Sequence, residues 1–267
     1  MGRFASQQVA GDWAKKLNAT VTVRPNNLGV EASIVKTVTE LCAAYGRIIV
    51  VEDDFVLNPD YIRYMLEGLD RYEHEPQVFQ ISGYMFPVEF PAGQDAFFMP
   101  FTTAWGWATW ARAWKFFEWS PPGMTELLAD SEQCWQFNLR GGVNYTKMIK
   151  SELEQPHIIY DVMWQYAVFR QKGLVAHPRR SLVWNGGMDG SGSFSSNDPK
   201  FPQISRELMS VPAFGEQIVW PQKAALDEAV YELLTMTLRE RRMRKPSLPV
   251  RAWHKIQTFG SKLKTMR

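Results

Sequence analysis

The chain has 267 residues, 45% hydrophobic and 22% charged, which suits one globular domain with an appendage and leaves ample length for a sizeable core. No run reaches the roughly 18 apolar residues of a membrane-spanning helix, the start Met1-Gly2-Arg3-Phe4 carries no signal-peptide core, and Cys42 and Cys134 give neither a disulfide framework nor a zinc site, so a reduced, cytoplasmic protein is expected. The net charge of +2 is unevenly placed: residues 236–267 carry ten Lys and Arg against one acid, Glu240, so the body is acidic and the tail basic.

Taken in order, residues 4–17 predict a helix with Val9, Trp13 and Leu17 on one face, and Ala19–Arg24 alternates as a strand. Pro25-Asn26-Asn27-Leu28-Gly29 predicts a turn, and a helix follows over 31–45 with Ile34, Val35, Val38, Leu41 and Cys42 inward. Ile48–Val51 is a β-branched run that predicts a strand buried on both faces, as in a parallel sheet. Asn58-Pro59-Asp60 starts a helix reaching about Tyr72, and Gln77–Ser82 is the next strand. The order αβαβαβ points to a wound α/β sheet. Further on, 97–101, 174–176 and 181–184 read as strands, and 144–154, 157–171 and 226–238 as helices. There are no internal repeats.

Glu52, Asp53 and Asp54 fall just past the C-terminal end of the 48–51 strand, where open α/β sheets hold their ligands. Three adjacent carboxylates either form a solvated acidic turn or hold Mn²⁺ or Mg²⁺ together with the phosphates of a substrate. Trp105-Gly106-Trp107 either walls a sugar pocket or packs an aromatic corner, Gly106 letting backbone come close. Asp161 sits in the first turn of an apolar helix, where the dipole keeps it ionised. That describes a general base, and equally an ordinary N-terminal helix acid. The Gly/Ser stretch 185–197 is either a linker or a lid, whose backbone N–H groups could face a phosphate; Asp189 lacks the acidic partners of an EF-hand. Beyond Pro246, Trp253, Ile256, Phe259, Leu263 and Met266 recur among basic residues, a basic amphipathic helix suited to an anionic membrane surface or to a partner. Nucleic-acid binding is not expected, because no recognition motif accompanies the tail.

In combination, Asn27-Leu28-Gly29, Ile48–Asp54, Pro59-Asp60-Tyr61, Ile81-Ser82-Gly83-Tyr84, Trp105–Trp110, Ser181-Leu182-Val183 and Asp189-Gly190-Ser191-Gly192 resemble bacterial glycosyltransferases of the GT-A fold, family 2-like and similar to N-acetylglucosaminyltransferase I-type enzymes. The resemblance covers about residues 4–195, without the family's opening strand–helix–strand segment. It implies a GT-A-like mixed sheet flanked by helices, taken as a domain over 1–220; the charge and spacing of the C-terminal residues add a helical basic tail over 221–267. It implies Asp54 as the metal ligand, Glu52 and Asp53 on the donor sugar and ribose, Asp161 as the catalytic base, and Asp189-Gly190-Ser191-Gly192 closing over the donor. Trp105, Gly106 and Trp107 would then shape the substrate pocket. The implied activity is metal-dependent, inverting transfer from a nucleotide-diphosphate sugar, most often a UDP-sugar, to a glycan or lipid-linked acceptor in polysaccharide or glycolipid synthesis. The tail 246–267 would place the enzyme at the inner face of the membrane. The competing readings are a non-catalytic metal- or sugar-binding remnant and a membrane-surface interaction protein.

Overall fold

The computed structural model describes residues 3–156, 159–189 and 202–243. The basic amphipathic segment 246–267 and the loop residues Gly190, Ser191 and Gly192 lie outside them, as does His157, the expected start of a helix.

The fold is α/β, with one mixed five-stranded sheet flanked by helices. Its strands are β1 (Arg47–Val50), β3 (Val78–Ser82), β4 (Ala96–Met99), β5 (Trp107–Trp110) and β6 (Leu174–Pro178), in the order β1-β5-β3-β6-β4. Only β3 and β6 run parallel; the other neighbours are antiparallel. A separate ribbon pairs β2 (Phe55–Leu57) with β7 (Val183–Asn185). This ribbon turns the chain just after the three acids and brings residues 185–187 beside them.

Helices cover both sheet faces. On one face α3 (Tyr61–Arg71) packs Tyr61, Met65 and Leu69 against Ile81, Trp110 and Val183. On the other, α2 (Val30–Tyr45) and α8 (Tyr160–Arg170) bring Val38, Cys42, Trp164 and Val168 onto Phe79, Trp107 and Val175. Both sets recur at three or four residues; α2 and α3 each bury one stripe, whereas α8 is buried almost all round, with Val162, Met163 and Tyr166 in a second cluster beside Phe137 and Ile149. The helix α9 (Glu228–Met243) belongs by sequence to the C-terminal piece, yet Val230, Leu234 and Leu238 share a core with Phe97, Met99 and Phe101 around β4.

Several expectations are corrected. The strand before the acids is not a parallel strand buried on both faces: β1 is half-buried, pairs antiparallel with β5, and among the described residues forms the rim of the sheet. Residues 19–24 form no strand, because no neighbouring strand among the described residues offers them a ladder. Val21 and Val23 are exposed, and Arg24 instead donates to Thr37 Oγ1 at 2.6 Å. The first helix, α1 (Arg3–Leu17), does form, but Val9, Trp13 and Leu17 face solvent. Between β5 and α8 the chain adds α4 (Ala111–Trp114), α5 (Met124–Ala129), α6 (Ser131–Phe137) and α7 (Tyr145–Glu154), of which only α7 shows in the sequence pattern. The first three are too short to display a helical period, although Asp130 caps α6 through the N–H groups of Glu132 and Gln133.

Candidate functional site

The acids leave β1 at the end of the sheet where β3 also ends, since Val50 stands opposite Trp107, and Trp107 opposite Ser82. Asp54 is held from the ribbon: its carbonyl accepts the Gly186 N–H at 2.8 Å, and its carboxylate lies against Gly187. A Cβ at position 187 would fall well inside contact distance of Asp54 Oδ2 and 3.2 Å from Cγ, so the carboxylate occupies the space a side chain would need. Asn185 supports this turn by accepting the Gly187 N–H at 2.8 Å, while Gln203 brackets the Asn185 backbone at 2.6 and 2.9 Å. Asp189 ends the short 3-10 turn that follows, Gly186–Asp189, so the start of the Gly/Ser loop stands next to Asp54.

Two helix N-termini converge on the same place. Asp161 is in the first turn of α8, half-buried, and accepts the Val162 N–H at 2.8 Å. Glu31 is in the first turn of α2 and accepts the Tyr160 N–H at 2.6 Å, which ties the start of α8 to α2. Sequence reasoning missed Glu31. An acid in a first helical turn is ordinary, and nothing local marks it as the partner of a helix far along the chain.

Electrostatics join these groups into one site. Burial, with the charges of Asp54, Asp53 and Asp161, pushes the Glu52 carboxyl up to about 7. Glu31 is also pushed up to about 7, by burial and by Asp161, Glu152 and Glu52, against the lowering effect of the Tyr160 N–H. Burial raises Asp161 too, opposed by its backbone hydrogen bonds, and burial then Asp53 raise Asp54. The charges acting on Glu31, Glu52 and Asp54 are all carboxylates, so a cation bound here would relieve a repulsion already present.

Among the described residues, no three or more His, Cys, Asp or Glu side chains are arranged to hold an ion by themselves. The fit is of another kind. A hard cation shared with a diphosphate needs only one or two carboxylates from the protein, and the donors here are all oxygen. Asp54 is exposed at the tip and would be the carboxylate such an ion could reach.

The aromatic residues divide. Trp107 is 1% exposed, packed with Trp114 and Trp164 at ring separations of 5.8 and 6.5 Å, and belongs to the floor beneath Tyr160. Trp105 is half-buried and meets Tyr84 edge-on at 4.7 Å. Gly106, at φ +63°, does allow a close approach, but to protein: its carbonyl accepts the Gly83 N–H at 2.7 Å, and an added Cβ would lie 2.7 Å from Val183. The structure thus gathers Glu52, Asp53, Asp54 and Asp161 with Glu31, and puts Gly106 and Trp107 into the packing that supports them.

Comparison with protein-family models gives no match, and comparison with curated proteins gives none either. No helix among the described residues is long and apolar enough to cross a membrane.

Proposed function

We propose that the chain is a metal-dependent, inverting glycosyltransferase of GT-A type, moving a sugar from a nucleotide diphosphate, most simply UDP, to an acceptor hydroxyl. One observation supports this above the others. The start of α8, which carries Asp161, is tied to the start of α2 by the Tyr160 N–H donated to Glu31 at 2.6 Å, and the Asp161 charge is felt at Glu52, so a base and a diphosphate–metal cradle would share one face in this reading. Glu52 and Asp53 face the donor sugar and ribose in this reading. Mn²⁺ or Mg²⁺, when held at Asp54, supplies positive charge against the diphosphate as it leaves. Asp161 takes the proton of the acceptor hydroxyl as that oxygen attacks the anomeric carbon from the side opposite the diphosphate. Its burial makes it a stronger base than a surface carboxylate. Glu31 acts on Asp161 indirectly, by fixing the first turn of α8.

The test is thermal unfolding with Mn²⁺ and UDP, comparing wild type with Asp54→Asn. A UDP-specific, Mn²⁺-dependent rise that the variant loses is expected; equal rises in both proteins would refute the assignment of Asp54. Turnover with a panel of UDP-sugars then separates an enzyme from a binding remnant. The tail 246–267 would carry the enzyme to the inner membrane face and its lipid-linked acceptors.

A further inference from the structure

The helix α1 inverts the pattern of a helix packed on its own domain. Val9, Trp13 and Leu17, four residues apart, share one face and are 50%, 55% and 68% exposed. The half-buried positions are instead Gln7, Gly11 and Ala14, on a different face. No residue of α1 belongs to any of the buried clusters that build the core. The apolar stripe of α1 therefore faces outward, toward something other than the body of the protein.

The chemistry around the stripe says what that is. Trp13 stands at its centre, and Lys16 Nζ lies 4.7 Å from the Trp13 ring. Lys15 and Lys16 are in the last turn and make no ion pair among the described residues. Asp12 is the one acid of α1. An exposed Trp beside Lys suits a lipid interface, where the ring sits at headgroup depth and the ammonium reaches the phosphates. Charge points the same way. Residues 1–50 carry six Lys and Arg against three Asp and Glu, within a body that is acidic as a whole, so an anionic surface draws this part of the body and repels the rest. Area argues against a protein partner. Even with the exposed Val21 and Val23 that follow, the apolar residues offer on the order of 500 Å², short of the about 800 Å² that one side of a stable protein interface buries.

We infer that α1 is an interfacial helix that lies on an anionic lipid surface through Val9, Trp13 and Leu17, with Lys15 and Lys16 supplying its attraction to the phosphates. The inference deepens the membrane placement proposed for the tail, and the two are separable because α1 and the tail lie at opposite ends of the chain. One amphipathic element gives a weak, reversible hold, and a second engaged at the same time makes it far stronger.

Co-sedimentation of the full chain with vesicles of phosphatidylglycerol and phosphatidylcholine tests this, with vesicles of phosphatidylcholine alone as the neutral counterpart. Binding to the anionic vesicles is expected, weakened by salt. Trp13→Ala should weaken it about tenfold, and Lys15→Glu combined with Lys16→Glu at least about tenfold. Val211→Ala, which changes a similarly exposed apolar residue elsewhere on the surface, should leave it unchanged. Trp13→Ala should also hold its melting temperature to within about 2 °C, because little of the protein packs on the ring. A clear fall would mean that the ring is packed within the protein and would overturn the inference. So would absent binding, equal binding to the neutral vesicles, or indifference to both α1 changes. Binding lost on deleting 246–267 but indifferent to Trp13→Ala would keep the tail and remove α1. A dimer at sedimentation equilibrium that Trp13→Ala abolishes, without vesicle binding, would assign the stripe to a second copy and overturn the inference as well.

Discussion

Gly187→Ala is the sharpest probe of how the site is built. The new methyl would collide with the Asp54 carboxylate, while the next atom it meets, Asn185 Oδ1, is at 3.2 Å. The clash is with the end of an exposed side chain rather than with backbone. Turning Asp54 away costs about 0.5–1.5 kcal/mol of rotamer strain. In a domain of this size that lowers the melting temperature by roughly 2–4 °C per kcal/mol. The functional loss should be far larger. A ligand at about 100 times its Kd stabilises by about 2.7 kcal/mol, and a tenfold loss of affinity halves that. If Asp54 holds the metal as proposed, displacing its carboxylate should remove most of it. The assay is a melting scan with and without Mn²⁺ and UDP. Gly215→Ala serves as the control, since a Cβ there meets nothing within 4 Å. A Gly187→Ala protein that keeps its full Mn²⁺–UDP shift would refute the reasoning, because the site would then not need Asp54 where it stands.

Further predictions address other parts of the molecule. Asp161→Asn should lower kcat by about 10²–10⁴-fold with little change in donor binding, and unchanged single-turnover rates would remove it as the base. The raised Glu31 and Glu52 carboxyls favour the fold below their unfolded value of 4.5, and that stability is lost as pH rises through about 7. After discounting for solvent screening, the metal-free protein should lose on the order of 1–2 kcal/mol over this window, as read by denaturant melts. Glu52→Gln should flatten the slope, and a flat wild-type profile would contradict the burial assigned to these acids. Gly83→Ala places a methyl 2.6 Å from the Tyr61 ring and 2.7 Å from the Gly106 carbonyl, and should cost about 1–3 kcal/mol or more by overpacking. Deleting 246–267 should weaken sedimentation with anionic vesicles; unchanged sedimentation would take the membrane role from the tail.

What the sequence shows well is local. The stripes of α2 and α3, the apolar character of α8 and the strand at β3 follow from the local sequence. What it hides is pairing. Ala19–Arg24 has the alternation of a strand, but alternation supplies no neighbour. Phe55–Leu57 is a strand only because Val183–Asn185 returns to it from far along the chain. Trp107–Trp110 reads as an aromatic cluster, yet it is the strand between β1 and β3, its tryptophans filling the core on either side of the sheet. The same holds for the site. Glu52, Asp53, Asp54 and Asp161 stand out because each sits at a strand or helix end. Glu31 joins them only through the fold, by the hydrogen bond it accepts from Tyr160.

The position of β1 at the rim has a consequence for how occupancy could be detected. With a single neighbour among the described residues, β1 has backbone N–H groups on its outer side that no described strand covers, and these should exchange with solvent faster than those of β3, which is paired on both sides. The carboxylates hang from this loosely fastened strand, so anything that grips Glu52–Asp54 also steadies the amides just before them. Ile48–Val50 should therefore act as a built-in reporter: deuterium uptake there would slow when the acidic site fills.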